Sequence, residues 1–145
     1  MYQQYTTKLA STLEQLPWGM LEQSAALLHD ARMKNRQVFT LGNGGSASTA
    51  SHFACDLSKN TVMEGRPRFR VMALTDNQAL MSAYANDLGY ANVFAEQLAN
   101  FVQPNDIVVA ISASGNSPNV LNAVELAKNA GATTIGWSGL QTWAY

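Results

Sequence analysis

The chain is poor in cysteine, with Cys55 alone, and poor in charge, with Asp, Glu, Lys and Arg making up 13% of its residues. A single cysteine excludes an intrachain disulfide and a cysteine-built zinc site, and it fits a reducing, cytoplasmic setting. Nine Lys and Arg stand against ten Asp and Glu, a formal net charge of −1, so the cationic excess of a protein that grips a nucleic-acid backbone is lacking. Direct nucleic-acid binding is therefore not expected. No run of eighteen apolar residues occurs, and the N-terminal stretch MYQQYTTKLASTLEQL has no apolar signal-peptide core, so neither a membrane span nor export is expected. A charged fraction well below the roughly one quarter of ordinary soluble domains leaves few charges to cover the surface. Part of that surface is expected to be buried in a homo-oligomer.

The 145 residues give room for one domain with one core. Leu9, Leu13 and Leu16 recur at helical spacing, and Trp18, Leu21, Ala25 and Leu28 repeat the pattern after Pro17, which predicts two N-terminal helices or one helix bent at the proline. From Gln37 onward the pattern changes to short apolar runs: Val38 to Leu41, Phe69 to Leu74, Ile107 to Ile111 and Thr133 to Trp137. Separated by helical segments, they read as buried parallel strands of a doubly wound α/β sheet. The helix between the third and fourth runs is best marked, with Ser117 as N-cap, Pro118 at its first position, Leu121, Val124, Leu126 and Ala127 facing inward, and Gly131 past its end. Residues 60–67 carry Gly65 and Arg66 and read as an exposed loop. The organisation expected is N-terminal helices over residues 1–35, the parallel core over 36–139 and a short divergent tail over 140–145.

Two loops carry chemistry. In the first, Leu41 to Phe53 (LGNGGSASTASHF), an apolar strand runs into Gly42, Asn43, Gly44, Gly45 and Ser46 and then into a helix. Glycines there let the backbone turn sharply toward a ligand, and the helix N-terminus favours an anion. Tight strand-to-helix packing is the plain alternative. Gly42, Gly44 and Ala47 also satisfy a loose dinucleotide fingerprint, but the first acid to end a strand is Asp76, far beyond the expected spacing of about 20 residues, and no Gly-Lys-Ser/Thr of a Walker loop follows. In the second loop, Ile111 to Val120 (ISASGNSPNV), Ser112, Ser114 and Ser117 place three hydroxyls around Gly115 at the mouth of a helix. Hydroxyls and helix-start amides together make a phosphate cradle without a cation, while Ser117 taken alone reads as an ordinary cap. Both loops stand at the carboxyl ends of strands, where open α/β sheets bind ligands.

In this combination the chain resembles the sugar isomerase (SIS) family, and within it the phosphoheptose isomerases, a branch that includes an isomerase-like protein that binds the bacterial replication initiator. The resemblance runs from Val38 to about Gly139, over GNGGSASTASHF, ALTDNQALMSAYANDLGY and DIVVAISASGNSPNVLNAVELAKNAGATTIGWSG. It implies an SIS-type, flavodoxin-like fold whose C-terminal part is missing. It implies substrate contacts from Asn43, Gly44, Gly45 and Ser46, from Asn86 and Asp87, and from Ser112, Ala113, Ser114 and Ser117, with the serine loop on the phosphate and the Asn-Asp pair on sugar hydroxyls. From the residues alone, Asn86 and Asp87 could equally form an Asx turn ahead of Gly89.

The resemblance also implies a catalytic pair in His52 and Asp56, although the family places a glutamate where Asp56 stands and adds a glutamine and a histidine from a C-terminal helix. Zinc is a candidate cofactor on His52 and Asp56, yet two ligands fall short of a site. Ala47, Ala50, Ala54 and Leu57 share one helical face, which turns His52 and Asp56 almost the opposite way. A solvent-facing pair is the alternative, and catalysis there requires cover from another subunit. The expected function is isomerisation of sedoheptulose 7-phosphate between ketose and aldose through an enediol, a step of carbohydrate metabolism and lipopolysaccharide heptose biosynthesis, by a full or truncated enzyme in a dimer or tetramer. A non-catalytic module that senses a sugar phosphate or docks on a partner such as a replication initiator is the other reading.

Overall fold

The computed structural model describes residues 1–139, so the short tail lies outside the described residues. The N-terminal part is two helices, α1 (Tyr2–Glu14) and α2 (Trp18–Met33), interrupted at Pro17, which has no N–H to continue the helical ladder. Strand β1 (Gln37–Gly42) follows, then α3 (Gly45–Lys59), β2 (Arg70–Ala73), α4 (Gln78–Leu88), a 3-10 turn at Tyr90–Asn92, α5 (Val93–Ala99), β3 (Ile107–Ile111), α6 (Pro118–Asn129) and β4 (Thr133–Trp137). The strands pair in parallel in the order β2-β1-β3-β4. This is the doubly wound sheet expected from the sequence. Among the described residues no helix is long and apolar enough to cross a membrane.

Side chains alternate across the sheet and divide the core in two. Phe39, Leu41, Val108 and Ala110 point to one face, where they pack with Val93, Phe94 and Leu98 of α5 and Val120, Ala123, Val124 and Ala127 of α6. Val38, Ile107, Val109, Ile111 and Ile135 point to the other, against Leu28 and Ala31 of α2 and Ala50 of α3. Such two-sided burial explains why β1 and β3 are continuously apolar in sequence rather than alternating. The one hydroxyl in the middle of β1, Thr40, is fully buried and donates to the Ala50 carbonyl at 2.9 Å, which fastens α3 to the sheet without leaving a polar group unpaired. At the opposite end, Asp106 accepts from the backbone N–H groups of Gln37 and Gln103, both at 2.9 Å.

Three local readings shift in the folded chain. The inward face of α6 is Asn119, Val120, Ala123, Val124 and Ala127, so Leu121 is only half-buried. Only the C-terminal half of α2 packs on the sheet: Leu28 and Ala31 are buried, whereas Trp18 is 57% exposed and Leu21 and Ala25 face outward. No residue of α1 is buried, and its apolar side chains lie uncovered in the single chain. The loop expected over residues 60–67 is largely exposed. Arg32 straps it down by donating from Nε to the Pro67 carbonyl at 2.6 Å and from Nη2 to the Thr61 carbonyl at 3.1 Å, with its guanidinium over the Phe69 ring.

Candidate functional site

Register brings the two loops together. Residues Val38 to Gly42 of β1 stand opposite Ile107 to Ile111 of β3, so the two strands end level and release their loops side by side. These neighbours also mark the switch point of the sheet, since the chain leaves β1 for β2 on one side and returns to β3 on the other. Ligand crevices of open α/β sheets form at such a point.

The first loop turns within the shortest possible space. A Cβ on Gly42 would lie 2.8 Å from the Ile111 carbonyl oxygen and equally close to the Cβ and carbonyl oxygen of Ser46, so only glycine lets β1, β3 and the start of α3 converge. Gly44 precedes α3 with φ +55° and ψ −121°, a conformation that disfavours a side chain. Its carbonyl accepts the N–H groups of Ala47 and Ser48, while the Asn43 carbonyl accepts that of Ser46, which locks the first turn. The 15-residue α3 then aims the positive end of its dipole at the crevice.

In the second loop, Ser112 is buried, and its N–H donates to the Trp137 carbonyl of β4 at 3.0 Å. Ser114 Oγ accepts from the Asn116 N–H at 3.2 Å. Ser117 occupies the N-cap position of α6 but makes no side-chain cap bond, contrary to its reading as an ordinary cap. The N–H of Val120, one of the two usual targets of such a cap, donates to Ser117's own carbonyl at 3.0 Å. The Ser117 hydroxyl faces Ser112 Oγ at 3.3 Å instead.

Between the loops lies a cavity of about 220 Å³ lined by Asn43, Ser46, Ile111, Ser112, Ala113, Ser114 and Ser117. It therefore joins six of the ten residues expected to bind substrate. Gly44 and Gly45 lie between two lining residues and are exposed. No Lys, Arg or acidic side chain lines the cavity. An anion there meets neutral hydroxyls and two helix N-termini, a combination that holds phosphate without a counter-charge. A larger concavity of about 700 Å³ runs along the free edge of β2 past Ser51, Cys55 and Asp76, away from both loops.

Four expected residues stand outside the cavity. Asn86 and Asp87 are helical, in the last turn of α4, exposed and joined to each other by an Asn86-to-Asp87 hydrogen bond of 2.7 Å. They form no Asx turn. His52 and Asp56 lie on the outer face of α3, with side chains 77% and 47% exposed and His52 Nε2 3.6 Å from Asp56 Oδ2. Ala50 and Ala54 of the same helix are buried, so the predicted division of faces holds. Asp56 also accepts from Asn60 Nδ2 at 2.7 Å. Among the described residues no group of three His, Cys, Asp or Glu could hold a metal ion, and the pair alone does not make a zinc site.

Two residues, Asn119 and Tyr90, escape a reading of the sequence. Asn119, in the first turn of α6 and 2% exposed, exchanges amide hydrogen bonds with Asn43, both at 2.8 Å, and Tyr90 donates its hydroxyl to Asn43 Oδ1 at 3.0 Å. A polar residue two places into a helix normally looks outward, and nothing in a linear pattern pairs it with a residue 76 positions earlier.

Comparison with known proteins agrees with this geometry. Residues 1–139 match the family model described as the SIS domain. The chain is 42% identical over 106 residues to a phosphoheptose isomerase of Nitratidesulfovibrio vulgaris, covering 73% of the chain and 50% of that protein. It is 41% identical over 131 residues to one of Helicobacter pylori, covering 90% of the chain and 67% of the relative. The chain thus spans about half to two thirds of the length of these relatives. Among solved structures, a phosphoheptose isomerase from Francisella tularensis superposes with a TM-score of 0.89 at 31% identity, over 99% of this chain and 74% of that one. The phosphoheptose isomerase GmhA from Neisseria gonorrhoeae superposes at 0.83 with 28% identity, over 97% and 76%.

Proposed function

The chain belongs to the SIS-domain family, and we propose that it binds a phosphorylated sugar, with sedoheptulose 7-phosphate as substrate and ketose-to-aldose isomerisation as the reaction. The observation that carries this reading is the Ser112–Ser117 pair at the bottom of a neutral cavity between two helix N-termini, with the Ser117 hydroxyl left free by a cap it does not make. The phosphate sits among the hydroxyls of Ser112, Ser114 and Ser117 at the mouth of α6. The backbone at Gly44, Gly45 and Ser46 closes over it, and Asn86 and Asp87 meet sugar hydroxyls.

Isomerisation removes a proton from the carbon bearing one hydroxyl, passes through an enediol and returns a proton to the neighbouring carbon. Asp56 is the proton carrier in this scheme and His52 its partner. Both face away from their own cavity, so a neighbouring subunit provides the substrate they act on. The uncovered apolar face of α1, together with Trp18 and Leu21 at the start of α2, supports such a homo-oligomer, a dimer or a tetramer. Zinc on His52 and Asp56 requires further donors from outside the described residues.

One observation favours a second reading. Asp56 accepts one hydrogen bond, from Asn60, and stands 3.6 Å from His52, and no third acid or base joins the pair among the described residues. That arrangement suits a module that senses a sugar phosphate, or docks on a protein partner, without turning the sugar over. Carbon NMR of the chain incubated with sedoheptulose 7-phosphate, with and without zinc, separates the two. Appearance of aldose signals supports the isomerase, and binding without conversion supports the sensor. Failure to bind any sugar phosphate refutes both the isomerase and the sensor and leaves docking on a protein partner.

A further inference from the structure

The contact between Asn43 and Asn119 joins the two loops through side chains. Each amide donates to the other's oxygen at 2.8 Å, so the pair closes a ring that neither residue can leave without breaking both bonds. Asn43 Oδ1 also accepts from the Tyr90 hydroxyl, which fills both of its lone pairs and leaves that oxygen no capacity for a ligand. Asn119 is almost fully buried, in surroundings where water cannot replace a lost partner cheaply. Asn43 lies between Gly42 and Gly44, residues whose backbone has little conformational restraint of its own, while Asn119 belongs to the buried face that α6 lays on the sheet.

We propose that Asn119 is a positioning residue, which through its amide pair with Asn43, backed by Tyr90, fixes the distance and angle between the glycine loop and the serine loop so that both present their donors to one phosphorylated ligand. Asn119 touches no ligand in this scheme. It holds the flexible loop against the rigid helix before the ligand arrives, and the bound state then requires less ordering of the glycine loop. Tyr90, from the turn after α4, brings a third element into the same arrangement and relates α4, where Asn86 and Asp87 reside, to the phosphate end of the site. This inference rests on the sugar-phosphate reading of the cavity.

The test has two arms, both using the full chain. In the first, hydrogen exchange is followed without ligand in Asn119→Ala, Asn43→Ala, the double variant and Tyr90→Phe. Exchange in residues 43–46 should rise about tenfold in each alanine variant and about threefold in Tyr90→Phe, with β1 and β3 protected as before. The double variant should lose no more than the worse single variant, because the two residues share one interaction. In the second arm, calorimetry with sedoheptulose 7-phosphate should show affinity lowered about tenfold by Asn119→Ala. Folded variants whose glycine loop exchanges as in the parent chain, or whose effects simply add, overturn the proposal. Should Asn119→Ala not fold, Tyr90→Phe at an exposed position decides the question by the same loop exchange. A parent chain that binds no sugar phosphate would refute the functional reading, while the exchange arm would still judge the coupling of the loops.

Discussion

Replacing Ser117 by alanine separates the two roles open to a serine at the mouth of a helix. As an N-cap, its loss would cost about 1 kcal/mol of stability. The hydroxyl does not serve as a cap here: it bonds no backbone N–H of α6, and the side chain faces Ser112 Oγ at 3.3 Å. Urea unfolding of Ser117→Ala should therefore match the parent to within about 0.5 kcal/mol, since the contact it loses is the long 3.3 Å one to Ser112 Oγ, beside a cavity from which water can replace it. Ligand binding should respond quite differently. A hydrogen bond to a charged group contributes about 1.5–3 kcal/mol, so loss of the Ser117 donor should weaken sedoheptulose 7-phosphate binding by about one to two orders of magnitude in calorimetry. A variant that loses stability yet keeps its affinity would refute the reasoning at its root, because it would make Ser117 a cap and nothing more.

Gly42→Ala should destabilise the chain by about 1–3 kcal/mol in urea unfolding, since the new Cβ meets backbone oxygens of Ile111 and Ser46 at 2.8 Å and no rotamer can relieve it; full stability would mean that β1 and α3 separate freely. Turnover of sedoheptulose 7-phosphate, followed by carbon NMR, should vanish in Asp56→Ala and increase in Asp56→Glu, whose carboxylate reaches about one carbon–carbon bond further. Robust turnover that survives Asp56→Ala would move the proton carrier elsewhere. Light scattering at micromolar concentration should give the mass of a dimer or tetramer, and Leu9→Glu with Leu13→Glu on α1 should lower it; a monomeric parent chain would remove the subunit that Asp56 and His52 need.

How far the fold can be read without coordinates depends on whether a segment's surroundings are set by its own pattern. The runs Ile107–Ile111 and Thr133–Trp137 became strands over their full predicted length, because each is a short apolar or β-branched run closed by turn residues. The run from Phe69 to Leu74 gave only Arg70–Ala73. Edge position does not account for this, since β4 is an edge strand too; at one end Phe69 lies under the Arg32 guanidinium in the preceding loop, and at the other Leu74 still donates its N–H to the Thr40 carbonyl just past the assigned strand. The first half of α2 failed differently. Trp18 and Leu21 announce an apolar face that wants cover, but periodicity cannot say whether the chain's own sheet supplies it, and here the sheet reaches only as far as Leu28 and Ala31.

The same distinction orders the candidate site. Gly42, Gly44 and the three serines were legible because a glycine turn and a serine cradle are local devices, complete within a few residues of sequence. Their meeting was not, for it depends on β1 and β3 ending level, a matter of register between strands about 70 residues apart. Ser117 shows both sides at one position. Its place before Pro118 predicts the start of α6 correctly, since backbone geometry at a helix start is local. Its side chain is not local in the same way: the hydroxyl bonds no amide of α6 and faces Ser112, five residues back across the loop. A serine that does not cap its helix keeps its hydroxyl on the cavity between β1 and β3, where the proposed phosphate would meet it.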